Sequence, residues 1–77
     1  MDFTLWMNNA SAKIDSLASH TEFALKDLYV GTDWDALPKG DRLGLGKHFK
    51  NEVVDGRVPG VRFVGKYQNN SAKYVKD

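Results

Sequence analysis

The sequence predicts an α+β fold in which three helices are followed by a C-terminal β-hairpin. Apolar residues recur every three or four positions in the N-terminal two-thirds, then every second position near the C-terminus. Turn-forming residues stand at the junctions. With 77 residues the chain forms one domain, 1–77, divided into an N-terminal helix over 1–19, a helical core over 21–56 and a hairpin over 61–76. A chain of this size buries only roughly 60–65% of its unfolded surface, so its core is expected to be modest and supplemented by a ligand or a second copy.

The first helix is expected from Asp2 to Ala18. Phe3, Trp6, Met7, Ala10, Ile14 and Leu17 fall on one face, while Asn8, Ser11, Lys13, Asp15 and Ser16 fall on the other. Asp2 is the expected N-cap, where its carboxylate meets the positive end of the helix dipole. Ser19, His20 and Thr21 interrupt the pattern. Thr21 is the expected N-cap of a second helix from Glu22 to Val30, with Phe23, Leu25 and Leu28 on its apolar side, Tyr29 at the border and Gly31 as its stop.

Thr32 and Asp33 read as a further cap opening a short helical turn, Asp33 to Leu37, which Pro38, Lys39 and Gly40 end. The third full helix is expected from Asp41 to Val54. Leu45, Phe49 and Val53 face the core, and Gly46 is expected to admit a neighbour carrying Trp34. Arg42 is expected on the core side, paired with Asp33 or Asp35 and stacked on Trp34. Asp55 and Gly56 close this helix. In the hairpin, Val61, Phe63, Gly65 and Tyr67 alternate with Arg62, Val64 and Lys66. Asn69 and Asn70 suit the tip, and Ala72 to Lys76 form the returning strand.

Composition excludes several classes of function. The chain lacks Cys, which removes disulfides, thiolate metal sites and cysteine nucleophiles, and fits a reducing compartment. No apolar run approaches the roughly 20 residues of a membrane span, and Asp2 is out of place in a secretory leader, so a cytoplasmic protein with no membrane partner is expected. His20 and His48 are far apart and lack carboxylates at ligand spacing, so no metal is expected. Asp33 and Asp35 are accounted for by helix capping. Gly44-Leu45-Gly46-Lys47 lacks the spacing and preceding strand of a phosphate-binding loop. No nucleophile–base set stands out, so neither catalysis nor a cofactor is expected.

Charge is distributed unevenly. The net charge is +1 overall, but it is −4 over 1–37 and +5 over 38–77. At about 100° per residue, Lys47 and Asn51 point away from the buried direction set by Leu45, Phe49 and Val53, with Lys50 and His48 flanking them. Arg57 follows the helix, and Arg62, Lys66, Lys73 and Lys76 lie in the hairpin, whose tip is polar (Gln68 to Ser71). Lys and Asn suit phosphate and base-edge contacts.

A basic helix followed by a basic hairpin has the layout of a winged helix, in which the helix enters the major groove and the hairpin rests on the backbone. The expected partner is therefore duplex DNA, contacted by Lys47, His48, Lys50, Asn51, Arg57, Arg62, Lys66 and Lys73, and a role as a transcriptional regulator would fit such contacts. Dimerisation through Phe3, Trp6 and Met7 would present two such surfaces. The alternative is a protein–protein interaction module, an inhibitor or adaptor, using the same helix and hairpin. The short helical turn preceding the third helix departs from helix-turn-helix proportions.

Residues 23 to 76 carry Phe23-x-Leu25-x-x-Leu28, Trp34, Arg42, Leu45-Gly46-x-x-Phe49, Val53 and the Val61 to Tyr74 hairpin. This pattern resembles a family of short bacterial proteins of unknown function, familiar from Gram-positive bacteria and their mobile elements. The resemblance covers about two-thirds of the chain and implies no established activity. In element order the segment is also similar to winged helix-turn-helix proteins.

Overall fold

The computed structural model describes residues 3–77. The expected N-cap, Asp2, lies outside them. Helix α1 spans Thr4–Asp15, shorter at both ends than the periodicity suggests. Ala10 and Ile14 are buried, and Phe3, Trp6, Met7 and Leu17 pack half-buried against the core. The Ser16 hydroxyl turns back to donate to the Lys13 carbonyl at 2.6 Å, which competes with continuation of the helix. His20, at φ 69°, then reverses the chain.

The second expected helix does not form. Glu22–Phe23 is a short strand, β1, and Leu25–Leu28 is a single 3₁₀ turn. Thr21 does not cap a helix: its hydroxyl donates to the Ala18 carbonyl at 2.6 Å, and its own carbonyl accepts from the Lys76 N–H at 3.0 Å. Phe23 enters the core from the strand, and Leu25 and Leu28 enter it three apart, at the 3₁₀ repeat. Asp27 locks the turn by accepting the Ala24 N–H at 2.9 Å.

Gly31 opens the next helix instead of stopping the previous one. Helix α2 spans Gly31–Ala36 and has no fully buried residue. Helix α3 spans Lys39–Val54, so Lys39 and Gly40 belong to its first turn and not to a loop. Pro38 precedes it as N-cap, and Asp41 lies in the first turn, favourable to the dipole. Its end is a Schellman closure. Gly56, at φ 79°, donates to Val53 and Arg57 donates to Glu52. Leu45, Phe49 and Val53 are its buried residues, as expected.

Strands β2 (Val61–Lys66) and β3 (Ala72–Lys76) form the hairpin, with Asn70 at φ 67° in its tip. Strand β1 adds to the free edge of β3, giving a three-stranded antiparallel sheet of order β1-β3-β2. The fold is thus three helices and a small antiparallel sheet, with the hairpin enlarged by a strand that lies between α1 and α2 in sequence.

Tyr74, in the central strand, stands opposite Phe23 on one side and Phe63 on the other. Its ring lies 5.8 Å from each of theirs and meets Phe49 of α3 edge-on at 4.9 Å. Such ring pairs contribute about 0.5–1.5 kcal/mol each beyond area burial. They bind all three strands to α3.

A β-bulge interrupts β2. Phe63 pairs with Tyr74 but Gly65 pairs with Lys73, so Val64 is the extra residue. Strict alternation would turn Lys66 away from the helices. After the bulge, Lys66 instead stands opposite Ala72 and shares the helix-facing side of the sheet with Ala72 and Tyr74. Gly65, at φ 131°, holds a backbone conformation that L side chains rarely adopt.

The close approach to α3 occurs at Gly44, not Gly46. A Cβ at Gly44 would stand 3.2 Å from the Phe3 ring, whereas one at Gly46 would meet nothing within 4 Å. Replacing Gly46 with Ala should therefore stabilise the protein by about 0.5–1 kcal/mol through helix propensity, raising Tm by about 4–8 °C per kcal/mol. Gly65→Ala should destabilise by about 1–3 kcal/mol. Thermal melts followed by circular dichroism check both signs.

Candidate functional site

A groove of about 580 Å³ runs between the exposed side of α3 and the hairpin tip. Arg42, Leu43, Gly46, Lys47 and Lys50 supply the α3 wall. Their spacing of three and four places one side chain per turn along the groove. Lys66, Asn69, Asn70, Ser71 and Ala72 form the hairpin wall, Lys26 and Trp34 close one side, and Tyr74 lies at the floor. Among the described residues, five cationic side chains line this groove and no carboxylate does.

These cations are available. Among the described residues, Lys26, Arg42, Lys47 and Lys66 make no ion pair; Lys50 has its ammonium 4.6 Å from the centre of the Phe63 ring. Lys47 and Lys66 are exposed, while Arg42 and Lys50 are half-buried along their stems. Four to five positive charges facing one another across a concave surface, without counter-charges, raise the local potential for an anionic partner.

The expected site residues divide into three groups. Lys47, Lys50 and Lys66 come together in the groove. Asn51 is exposed on α3 but stands outside it. The others are occupied elsewhere. Arg57 pairs with Glu52 at 3.6 Å and Asp55 at 3.4 Å. Arg62 pairs with Asp77. Lys73 lies 3.5 Å from Glu22 and 4.9 Å from the Tyr67 ring centre. Arg62 and Lys73 alternate out of register with Tyr74, so they occupy the sheet face turned away from the groove. His48 is half-buried, with its ring 5.6 Å from that of Phe3 and Nε2 3.8 Å from Glu52. Lys76 has a structural role: its ammonium donates to the Asp15 and Leu17 carbonyls at 3.2 and 2.8 Å, satisfying the C-terminal end of α1.

Arg42 does not pair with Asp33 or Asp35, and no ring contact with Trp34 accompanies it. Trp34 stacks instead on Tyr29, ring centres 5.8 Å apart and planes 7° from parallel. Arg42 precedes Leu45 by three residues, about 60° short of a full helical turn, which turns it off the buried stripe and into the groove. Nothing in the sequence points to Lys26 and Trp34 as site residues, because their segments read as ordinary helix. Phe3, Trp6 and Met7, expected as a dimer surface, pack on the chain's own core. Trp6 meets Tyr29 edge-on at 4.8 Å, and the Tyr29 hydroxyl donates to the Trp6 carbonyl at 2.7 Å.

Among the described residues no helix is long and apolar enough to cross a membrane. They also contain no group of three or more His, Asp or Glu side chains placed to hold a metal ion.

Fold and groove define a small α+β domain with a one-sided cationic cleft. The chain belongs to the family of the domain of unknown function DUF1413, whose model matches residues 8–76. No curated protein and no solved structure matches it.

Burial pushes the phenols of both Tyr29 and Tyr74 up to about 12 from their ordinary 10.0. The native state therefore keeps these protons when the unfolded chain releases them, so stability should fall as pH rises from 10 towards 12. The urea midpoint should drop over that range, and Tyr74→Phe should make the drop shallower.

Proposed function

We propose that this protein is a non-catalytic, cytoplasmic DNA-binding domain that grips the backbone of duplex DNA in the groove between α3 and the hairpin. The observation that carries this reading is the set of five cations lining the groove with no carboxylate among them. Phosphate neutralisation by Lys and Arg supplies most of non-specific duplex affinity. The chain's other charges favour the same face, since the cations on the far side of the sheet are already paired.

Element order supports a winged-helix arrangement. A helix, a short strand, two further helices and a hairpin follow one another, and the short strand pairs with the returning strand of the hairpin. In that arrangement α3 approaches the major groove and the polar hairpin tip, Asn69 to Ser71, follows the sugar–phosphate backbone. Asn51 and Lys47 then face the bases, while Lys50 and Lys66 face phosphates. Leu43 and Val54, 65% and 62% exposed on α3, are suited to thymine methyl groups. Binding by a single copy suffices, because the aromatic end of α1 is committed to the core. A regulatory role would follow from occupancy of a promoter.

The same exposed Leu43 and Val54 also suit an acidic, partly apolar protein surface, which gives the second reading, an adaptor or inhibitor. Salt dependence separates the two. Affinity for random duplex should fall with a log–log salt slope of about −0.9 per phosphate neutralised. Lys47→Glu combined with Lys50→Glu should abolish duplex binding while leaving the circular dichroism spectrum native, with a loss of stability of no more than about 0.5–1 kcal/mol, that of the Lys50–Phe63 contact. Arg62→Ala and Lys73→Ala should change affinity less than Lys66→Ala does. A wild-type protein that ignores duplex at low salt, or a charge-reversed variant that binds as well as wild type, would end the DNA reading.

A further inference from the structure

Among the described residues, the Tyr74 hydroxyl has no hydrogen-bond partner. Tyr74 is only 1% exposed, and its ring is enclosed by Phe23, Phe49 and Phe63. The Tyr29 hydroxyl, in contrast, donates to a backbone carbonyl. No described residue accepts from or donates to the Tyr74 oxygen. Yet no buried side-chain oxygen among the described residues is cut off from both solvent and partner. The sliver of Tyr74 that remains accessible therefore includes its phenolic oxygen.

Tyr74 also lines the cationic groove, together with Lys50 and Lys66. A phenylalanine would fill the same aromatic cluster, so the hydroxyl adds nothing to the packing of the rings. An accessible donor without an internal partner, at a groove lined by cations, is free to meet a partner that arrives from outside. The groove's charge indicates an anion with hydrogen-bond acceptors.

We propose that the Tyr74 hydroxyl is a phosphate donor, giving a hydrogen bond to a phosphodiester oxygen that Lys50 and Lys66 neutralise. This role rests on the duplex-binding reading above and refines it to one contact. The phenol adds no negative charge of its own, since burial keeps it protonated far above neutral pH. It supplies direction where the two lysines supply charge, and a donor in a poorly hydrated recess loses little to competing water.

Tyr74→Phe removes a single oxygen and tests this contact. Fluorescence anisotropy with a random duplex should show affinity reduced by about 3- to 10-fold. The salt slope should not change, because no charge is removed. Tm should not fall, because no internal hydrogen bond is lost. Lys66→Ala serves as the reference and should lower the slope by about one phosphate. Unaltered affinity of Tyr74→Phe, with wild type binding in a salt-dependent way, would overturn the contact and leave duplex binding in place. Absence of salt-dependent binding by wild type would overturn both. A lowered Tm would assign the hydroxyl to the fold instead. Inorganic phosphate and chloride at matched ionic strength should displace duplex equally. Phosphate-specific displacement that disappears in Tyr74→Phe would indicate a small-anion site and overturn the assignment to a polynucleotide.

Discussion

The packing of Tyr74 is the constraint on which the rest of the structure depends. It sits in the central strand, and its neighbours across the sheet are Phe23 and Phe63, while Phe49 reaches it from α3. Each ring belongs to a different element, so one cluster sets the register of β1, the register of β2 and the distance of the sheet from α3. The other aromatic group, Trp6, Tyr29 and Trp34, lies outside the sheet and does not join its strands. The remaining apolar contacts extend outward from the Tyr74 cluster: Leu45 and Val53 along α3, Ala10 and Ile14 on α1, and Leu25 and Leu28 from the 3₁₀ turn.

The groove is a by-product of that packing and of one irregularity. Because α3 is tied to the sheet through Phe49, its opposite flank stands clear and leaves a cleft towards the hairpin tip. The bulge at Val64 then turns Lys66 towards this cleft instead of away from it. Cations on the other sheet face are matched by carboxylates, Arg62 by Asp77 and Lys73 by Glu22. Exposed pairs of this kind contribute little to stability. Their consequence here is that the unpaired cation of the sheet, Lys66, is the one on the groove side.

Periodicity revealed much of this fold, and the reasons for its failures are local. Helices α1 and α3 and the two hairpin strands are all visible as repeats of apolar residues, and Asn70 and Gly56 adopt the backbone conformations their residue types favour. Between Glu22 and Val30 the same reasoning fails. Phe23, Leu25 and Leu28 fit a helix face as well as they fit a two-residue strand followed by a 3₁₀ turn. The deciding interaction is pairing of Glu22 and Phe23 with Val75 and Tyr74, residues at the far end of the chain. A local pattern carries no record of such a partner. The site shows the same division. Lys47 and Lys50 are legible from helix geometry alone, but Lys66 is assigned its face only by the bulge. Arg57, Arg62 and Lys73 look equally available until their carboxylate partners are located.

The order of the strands bears on how the chain folds as it is made. Residue 22 pairs with residue 75, and the strand that both of its neighbours need is the last of the three to be synthesised. Until residues 72–76 have left the ribosome, β1 has nothing to pair with, Lys76 is absent from the end of α1, and the half-built core exposes Phe23, Phe49 and Phe63. Helical segments can flicker in and out during translation, but the tertiary structure must close in a single late event. The nascent chain is consequently at its most adhesive just before residues 72–76 emerge, which is when a chaperone would have most to do.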